Sequence, residues 1–415
     1  MKICHLVQNY YPSVGGMQTV VRQLSERLVS AGHEVTVLTS RNNNRTNQII
    51  NGVKIVDFDI DGNLVNNFKG SSDEKARFIE EFAKDYDIVT IFAAQHWASD
   101  LALINLDKIK AKKVFVPNGF SRLHDPKYKK LYFSQMAKWM KAVNMNVFLY
   151  DKYQDCQFAV NNGVSNYQII CNGADEHEFL KPGSVGWRKR LQIAEDDLLI
   201  LHVGTHTGEK GHYEAIEIFK QAEFSQPAVL LLVANDFRGG CKEECLKLAS
   251  DFQYQEKKIL VTDLPREQVV EAFKSADIFL FPSNLESQGM VILEAMAAKV
   301  PFLATDVGNI KDLVDKSGGG IIIPGTKSLC VRDCLVSFMK IAIKKLLYND
   351  LGPWSGNYNF TKAEISTGAN LLTELAKDQR KCKETGKRGY DYWFRHATWD
   401  MVARQYESLY KDLLC

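Results

Sequence analysis

Residues 281–307, FPSNLESQGMVILEAMAAKVPFLATDV, decide how the rest of the chain is read. The run before it, Ala276–Asp277 and then IFLFPS, is rich in strand formers and stops at Pro282–Ser283. Gly289 lies in the loop that follows. Residues 291–299 are strong helix formers, with Lys299 expected in the last turn. Val300–Pro301 ends that helix and FLAT starts the next strand. The pattern is strand, loop, helix, strand. It places Glu286 in the loop and Glu294 inside the helix, both near the carboxyl end of a strand, where open α/β sheets bind ligands. A helix that begins near Gly289 offers free amides and a positive dipole end, which suits a phosphate. Glu294 can accept from two ribose hydroxyls, and Glu286 can face a sugar beyond the diphosphate. The alternative reading is two surface glutamates near a helix start, where acid is favourable in any case.

Glu286-x7-Glu294, set within PSNLESQGMVILEAMAAKVPFLATDVGNIKDLV, resembles the EX7E region of the retaining GT-B glycosyltransferases of family 4. The resemblance implies an α/β fold of two Rossmann-like doubly wound parallel-sheet domains facing across a cleft. It implies that Glu286 lies beside the donor sugar and that Glu294 holds the nucleotide ribose. The amides of Gly289, Met290 and Val291 would cradle the diphosphate. The donor would be a nucleotide sugar, with a UDP-sugar as the default, and the acceptor a saccharide or lipid-linked glycan. No metal and no cofactor is required in that reading, and the anomeric configuration is retained.

Composition sets outer bounds. The chain has 415 residues, enough for two or three domains, with ordinary apolar (45%) and charged (25%) content for a globular protein. A formal net charge of +2 argues against a dedicated nucleic-acid binder. Met1 leads straight into the apolar KICHLVQ, so no secretory signal is expected. The nine cysteines are scattered, which fits reduced thiols in a cytoplasmic protein. Cys241-x3-Cys245 and Cys330-x3-Cys334 lack His or Cys at zinc spacing, so no metal site is expected.

Taken in order, residues 2–8 form a strand, Gly15–Gly16 a turn, and Met17, Val20, Val21, Leu24 and Leu28 the apolar stripe of a helix. Amides at such a strand–Gly–Gly–helix unit can meet a phosphate. The family carries a Gly-Gly loop here that faces the donor phosphates. The series Asp57, Asp59, Asp61 starts like a calcium loop, but Phe68 stands where its bidentate ligand should, so it reads as a solvated strand end. Strands at 87–94 and 112–116 lead to His96 and to Asn118, at the same sheet edge as Gly15–Gly16. The family usually carries, after one of these strands, a His that contacts the donor sugar or the acceptor. Asn118 aligns with it, and His96, one strand earlier, could substitute. Residues 126–147 are basic and aromatic. As a helix they either pack their aromatics inward, the preferred reading, or rest peripherally on the inner face of a membrane. Residues 156–160 and 167–171 read as short strands, and the resemblance puts a domain boundary after them. The domains are expected at 1–178 and 190–390, with a final helix, 391–415, crossing back to the first.

The second half opens with a strand at 198–203, then GTHTGEKGH and a helix. The family has Gly-Arg at this strand tip and Lys-Gly further on. Lys210 and Gly211 match, but Thr205 stands in place of the Arg, and His206 or His212 is offered as an auxiliary contact. The strand tips at Asn235–Asp236 and Asp263–Leu264 are expected to flank the nucleotide base. Residues 330–348 and 361–387 read as helical, and 349–360 as turn-rich. Two rivals stand beside this reading: a non-hydrolysing sugar-nucleotide epimerase, which has a similar two-domain fold but which the Glu286-x7-Glu294 region argues against, and a non-catalytic nucleotide-sugar-binding partner subunit. Thr205 and Asn118 keep the second alive.

Overall fold

The computed structural model describes residues 1–234, 241–252, 254, 256–329 and 359–415. Its contacts divide the chain into two units, Met1–Asn172 with Trp399–Cys415, and Gly173–Thr398.

In the first unit the elements are β1 (Lys2–Leu6), α1 (Gly16–Ser30), β2 (Glu34–Ser40), β3 (Ile49–Ile50), β4 (Val53–Phe58), α2 (Ser72–Phe82), β5 (Ile88–Phe92), α3 (Trp97–Leu103), β6 (Lys112–Val116), α4 (Ser134–Ala142), β7 (Met145–Phe148), α5 (Gln154–Asn161) and β8 (Tyr167–Ile169). The strands order as β8-β7-β6-β5-β1-β2-β4-β3. All neighbours are parallel except β3 with β4. The IVTIF of β5 is buried along its whole length, as expected of a parallel strand covered on both faces. The chain runs outward from β1 through β2 to β4, then returns to the other side of β1 with β5. The strand order therefore reverses between β1 and β5, and the tips there flank a crevice suited to a ligand.

The last helix, Trp399–Leu414, belongs to this unit. Arg27 of α1 donates to Asp400 at 2.8 Å, and His33 pairs with Glu407 at 3.0 Å. The Tyr410 hydroxyl reaches Thr90 of β5 at 2.7 Å in the buried interior. His5 bonds Ser25 at 2.8 Å, and burial pushes its imidazole down to about 3, so it sits neutral in the core.

Two readings are corrected here. Residues 156–160 are not a strand: they lie within α5, which buries Cys156 and Ala159 and stops before Gly163 at φ +67°. A short apolar run such as CQFAV has no periodicity to separate strand from helix. The basic aromatic stretch is helical from Pro126 to Ala142, with a π-helical turn at Lys129–Phe133, but Met145–Phe148 is already a strand. Tyr128, Tyr132, Phe133, Met136 and Trp139 point into the core and the lysines outward, so the aromatics are used in packing.

In the second unit follow β9 (Leu198–Val203), α6 (His212–Gln221), β10 (Ala228–Val233), α7 (Cys241–Ser250), β11 (Lys257–Thr262), α8 (Arg266–Ser275), β12 (Ile278–Phe281), α9 (Met290–Ala297), β13 (Phe302–Thr305), α10 (Ile310–Ser317), β14 (Gly320–Ile323), the antiparallel pair β15 (Gly325–Leu329) and β16 (Asn359–Ala363), α11 (Ile365–Lys377) and α12 (Gln379–His396). The six-stranded sheet orders as β11-β10-β9-β12-β13-β14 and is parallel throughout. Its order reverses between β9 and β12, so the loops after those two strands flank the second crevice. Helix α9 ends at Ala297. Lys299 lies beyond it at φ +62°, not in the last turn, with its ammonium 4.6 Å from the Tyr390 ring centre. Residues 361–363 belong to a strand, and the helical reading holds only from Ile365. The expectations for 330–358 and for Asn235–Asp236 fall outside the described residues. Among those described, no helix is long and apolar enough to cross a membrane.

Candidate active site

In the second unit the loop after β9 and the loop after β12 are tied together. The amide of Asn284 donates to the Glu209 carbonyl at 2.7 Å, and the Ser283 hydroxyl to the same oxygen at 3.2 Å. Gly211 makes this contact possible. Its φ is +74°, and a Cβ there would stand 2.0 Å from the Pro282 carbonyl oxygen. Gly308, at φ +56°, lets the turn after β13 approach the Glu286 and Ser287 carbonyls in the same way. Three loops thus converge at one sheet edge.

Within that convergence Lys210 Nζ donates to Glu286 Oε1 at 2.7 Å. The Glu286 side chain is 11% exposed, which rules out the surface reading. Glu209, beside it, has a buried Oε1 with no hydrogen-bond partner. Burial pushes the Glu209 carboxyl up to about 8, with Lys210 opposing and Glu286 adding. Thr205 is half-buried on the same loop. Next to it α9 starts bare: Gly289 is its N-cap, no side chain caps it, and no acid occupies the first turn. The amides at Gly289, Met290 and Val291 and the positive helix end therefore lie at this edge without an internal counter-charge.

Glu294 sits one turn further and is buried. Arg266 of α8 pairs with its Oε1 at 2.6 Å and also grips Glu178, at 2.5 Å. Burial holds the Glu294 carboxyl above its usual range. Arg266 opposes that shift, and Glu178 and Asp175 reinforce it. Arg266 and Glu178 carry no motif signal of their own. Only the packing of α8 and the short helix Glu176–Phe179 onto α9 reveals them. Asp263, by contrast, is engaged with Lys242 at 2.7 Å.

In the first unit the tips of β1, β5 and β6 are neighbours. Gly15 and Gly16 begin α1, again with no side-chain cap and no acid in the first turn. His96 precedes α3 with a buried, unpartnered Nδ1, and burial lowers its imidazole to about 4, so it is a neutral base. Asn118 follows β6 at φ +56°, and Ala93 and Gln95 are also left-handed, at φ +59° and +68°. Such backbone costs about 1–2 kcal/mol per residue and concentrates where a chain positions functional groups. Sequence reasoning missed Asp100. It accepts from the Tyr132 hydroxyl at 2.8 Å and the Leu64 amide at 3.0 Å, and burial raises it to about 6. The aspartate series is engaged elsewhere: Asp57 pairs with buried Arg45, and Asp61 with Lys69 at 3.7 Å.

The comparisons with known proteins follow the same division. The family model described as "Glycosyl transferases group 1" matches residues 186–329, and that of "Glycosyltransferase Family 4" matches residues 14–176. The chain belongs to the group 1/family 4 glycosyltransferases. The N-acetyl-alpha-D-glucosaminyl L-malate synthase of Bacillus anthracis is 22% identical to this glycosyltransferase, over 97% of this chain and 96% of its own. Among solved structures, the sucrose-phosphate synthase of Thermosynechococcus elongatus superposes with a TM-score of 0.72 at 16% identity, covering 99% of this chain and 98% of that one. Anabaena HepE, solved in complex with UDP and glucose, superposes with a TM-score of 0.70 at 14% identity, covering 99% and 100%. The fold is GT-B.

Proposed function

We propose that this glycosyltransferase moves a sugar from a UDP-sugar to a hydroxyl of a saccharide or lipid-linked glycan, with retention of anomeric configuration. The observation that carries this reading is the meeting of Lys210 and Glu286 at 2.7 Å, at the switch point between β9 and β12 and beside the bare start of α9. A positive helix end and an ammonium in one crevice suit a diphosphate. Glu286 then lies where it can orient the sugar that the diphosphate carries, and Glu294 lies one helical turn away for the ribose. The complex of Anabaena HepE with UDP and glucose supports UDP as the nucleotide.

In the reaction the acceptor oxygen attacks the anomeric carbon from the face the diphosphate leaves. The bond from that carbon to the phosphate oxygen breaks, and its electron pair stays on the diphosphate. The acceptor proton passes to that same phosphate oxygen. Lys210 and the amides at Gly289, Met290 and Val291 stabilise the growing negative charge, usually a large term in catalysis. In the first unit, the bare amides at the Gly15–Gly16 start of α1, neutral His96 and Asn118 stand at neighbouring strand tips and are proposed as substrate contacts of that unit.

The test is a mixture of the protein, a UDP-sugar and saccharide acceptors, with the product followed by proton NMR. An axial donor linkage that remains axial in the product supports the reading. An inverted linkage overturns retention. An altered nucleotide sugar without acceptor would identify an epimerase, and binding without turnover a non-catalytic subunit.

A further inference from the structure

The tip of β9 holds a second cluster, on the side of α6 and α7. His206 follows β9, His212 is the first residue of α6, and Cys241 is the first of α7. One ligand atom from each lies within 4.8 Å of the others. The two imidazoles stack at 4.5 Å between centres, and both are buried. His212 Nε2 is 3.2 Å from the Gly204 carbonyl. A carbonyl only accepts, so Nε2 carries the proton and Nδ1 the lone pair. That Nδ1 has no partner. Unpartnered imidazole nitrogens in a core are costly unless something accepts their lone pairs.

The arrangement matches a metal site. A ligating histidine commonly donates its other N–H to a backbone carbonyl, as His212 does to Gly204. His206 Nδ1 is 3.4 Å from Cys241 Sγ. Two such ligands on one tetrahedral zinc stand about 3.6 Å apart, given Zn–N of about 2.0–2.1 Å and Zn–S of about 2.3 Å. Cys245 lies one helical turn after Cys241, on the same face of α7, is buried, and shares a hydrogen bond with it. His206, His212 and Cys241 are the three ligands already together, and Cys245 would complete them as the fourth, two thiolates and two imidazoles being a closed tetrahedral zinc set.

We propose that His206, His212, Cys241 and Cys245 bind one zinc ion, which clamps the loop after β9 to the start of α7. Lys210 lies between the two histidines in sequence, so the clamp would fix the segment that presents it to Glu286. The ion is separate from the diphosphate and takes no part in the transfer. The sequence did not suggest this site, because the histidines come from the β9–α6 loop and the first residue of α6 rather than from the neighbourhood of the cysteine pair.

The full-length protein is stripped with a chelator under reducing conditions and titrated with Co2+. The expected result is a spectrum of one tetrahedral Co2+ per chain, with a thiolate charge-transfer band, displaced by one equivalent of Zn2+. Cys241→Ser, Cys245→Ser and the near-isosteric His206→Gln should each weaken Zn2+ binding by about 100-fold or more. Cys171→Ser, at an exposed thiol of the other unit, should leave it unchanged. Circular dichroism confirms that each variant is folded. Absence of the cobalt spectrum in the reduced protein overturns the proposal. So does a spectrum that survives Cys241→Ser.

Discussion

Replacing Lys210 by Met separates what this side chain does for the fold from what it does for the donor. The variant leaves Glu286 with the Ser283 hydroxyl at 3.4 Å in place of an ammonium at 2.7 Å. At that shorter distance two unit charges attract by about 1.5 kcal/mol in bulk water and by about 6 kcal/mol at an effective dielectric of ~20. The side chains are 26% and 11% exposed, so the pair lies between these limits, and desolvation offsets part of the gain. A net coupling of about 2 kcal/mol is expected. Lys210→Met should therefore lose about that much in urea unfolding, while Lys210→Met combined with Glu286→Gln should lose little more than Glu286→Gln alone. Donor affinity, measured by calorimetry, should fall about tenfold or more in both variants that lack the lysine, because the phosphate loses a charge in either background. A double variant that binds donor like the wild type would refute the role of Lys210. A coupling of zero would refute the ion pair.

Three further predictions follow from the same geometry. Gly211→Ala must adopt a left-handed φ at a cost of about 1 kcal/mol or more and push its Cβ away from the Pro282 carbonyl, so both stability and donor affinity should fall; an unchanged melting temperature would contradict the loop contact. Glu209 keeps its proton in the folded state up to about pH 8, whereas the unfolded chain releases it near its ordinary value. Its contribution to stability is thus present at low pH and lost as pH rises through about 8. Glu209→Gln should flatten the fall in melting temperature across that window, and an identical pH profile would overturn the assignment. Arg266→Met should leave Glu294 buried beside Glu178 and Asp175 and destabilise the second unit by about 1–3 kcal/mol, a discounted figure because the Arg266 side chain is 40% exposed; double replacement with Glu294→Gln should recover most of it.

Much of this was readable from the chain. The strand, loop and helix around Glu286 and Glu294 are carried by local signals: strand formers up to Pro282, helix formers after Gly289, and Pro301 after the helix. The tips bearing Gly15, His96 and Asn118 could be placed at one edge because parallel strands share a direction. Other features had no local signature. Arg266 reaches Glu294 from a different helix, and Glu209 is perturbed by burial, which no spacing encodes. Residues 156–160 misled because four apolar or small residues around Gln157 fit either a strand or one helical turn. The His206, His212 and Cys241 cluster is assembled by the sheet order, which brings the β9 tip beside the helix that follows β10.

The most direct test of the account is binding and turnover of UDP-, GDP- and ADP-sugars by the wild type and by Glu294→Ala. Thermal stabilisation and nucleotide release are read together, with an acceptor mixture present. The account predicts selective stabilisation by a UDP-sugar, acceptor-dependent release of UDP, and loss of both in the variant. Stabilisation that survives Glu294→Ala, or no response to any nucleotide sugar, would contradict it.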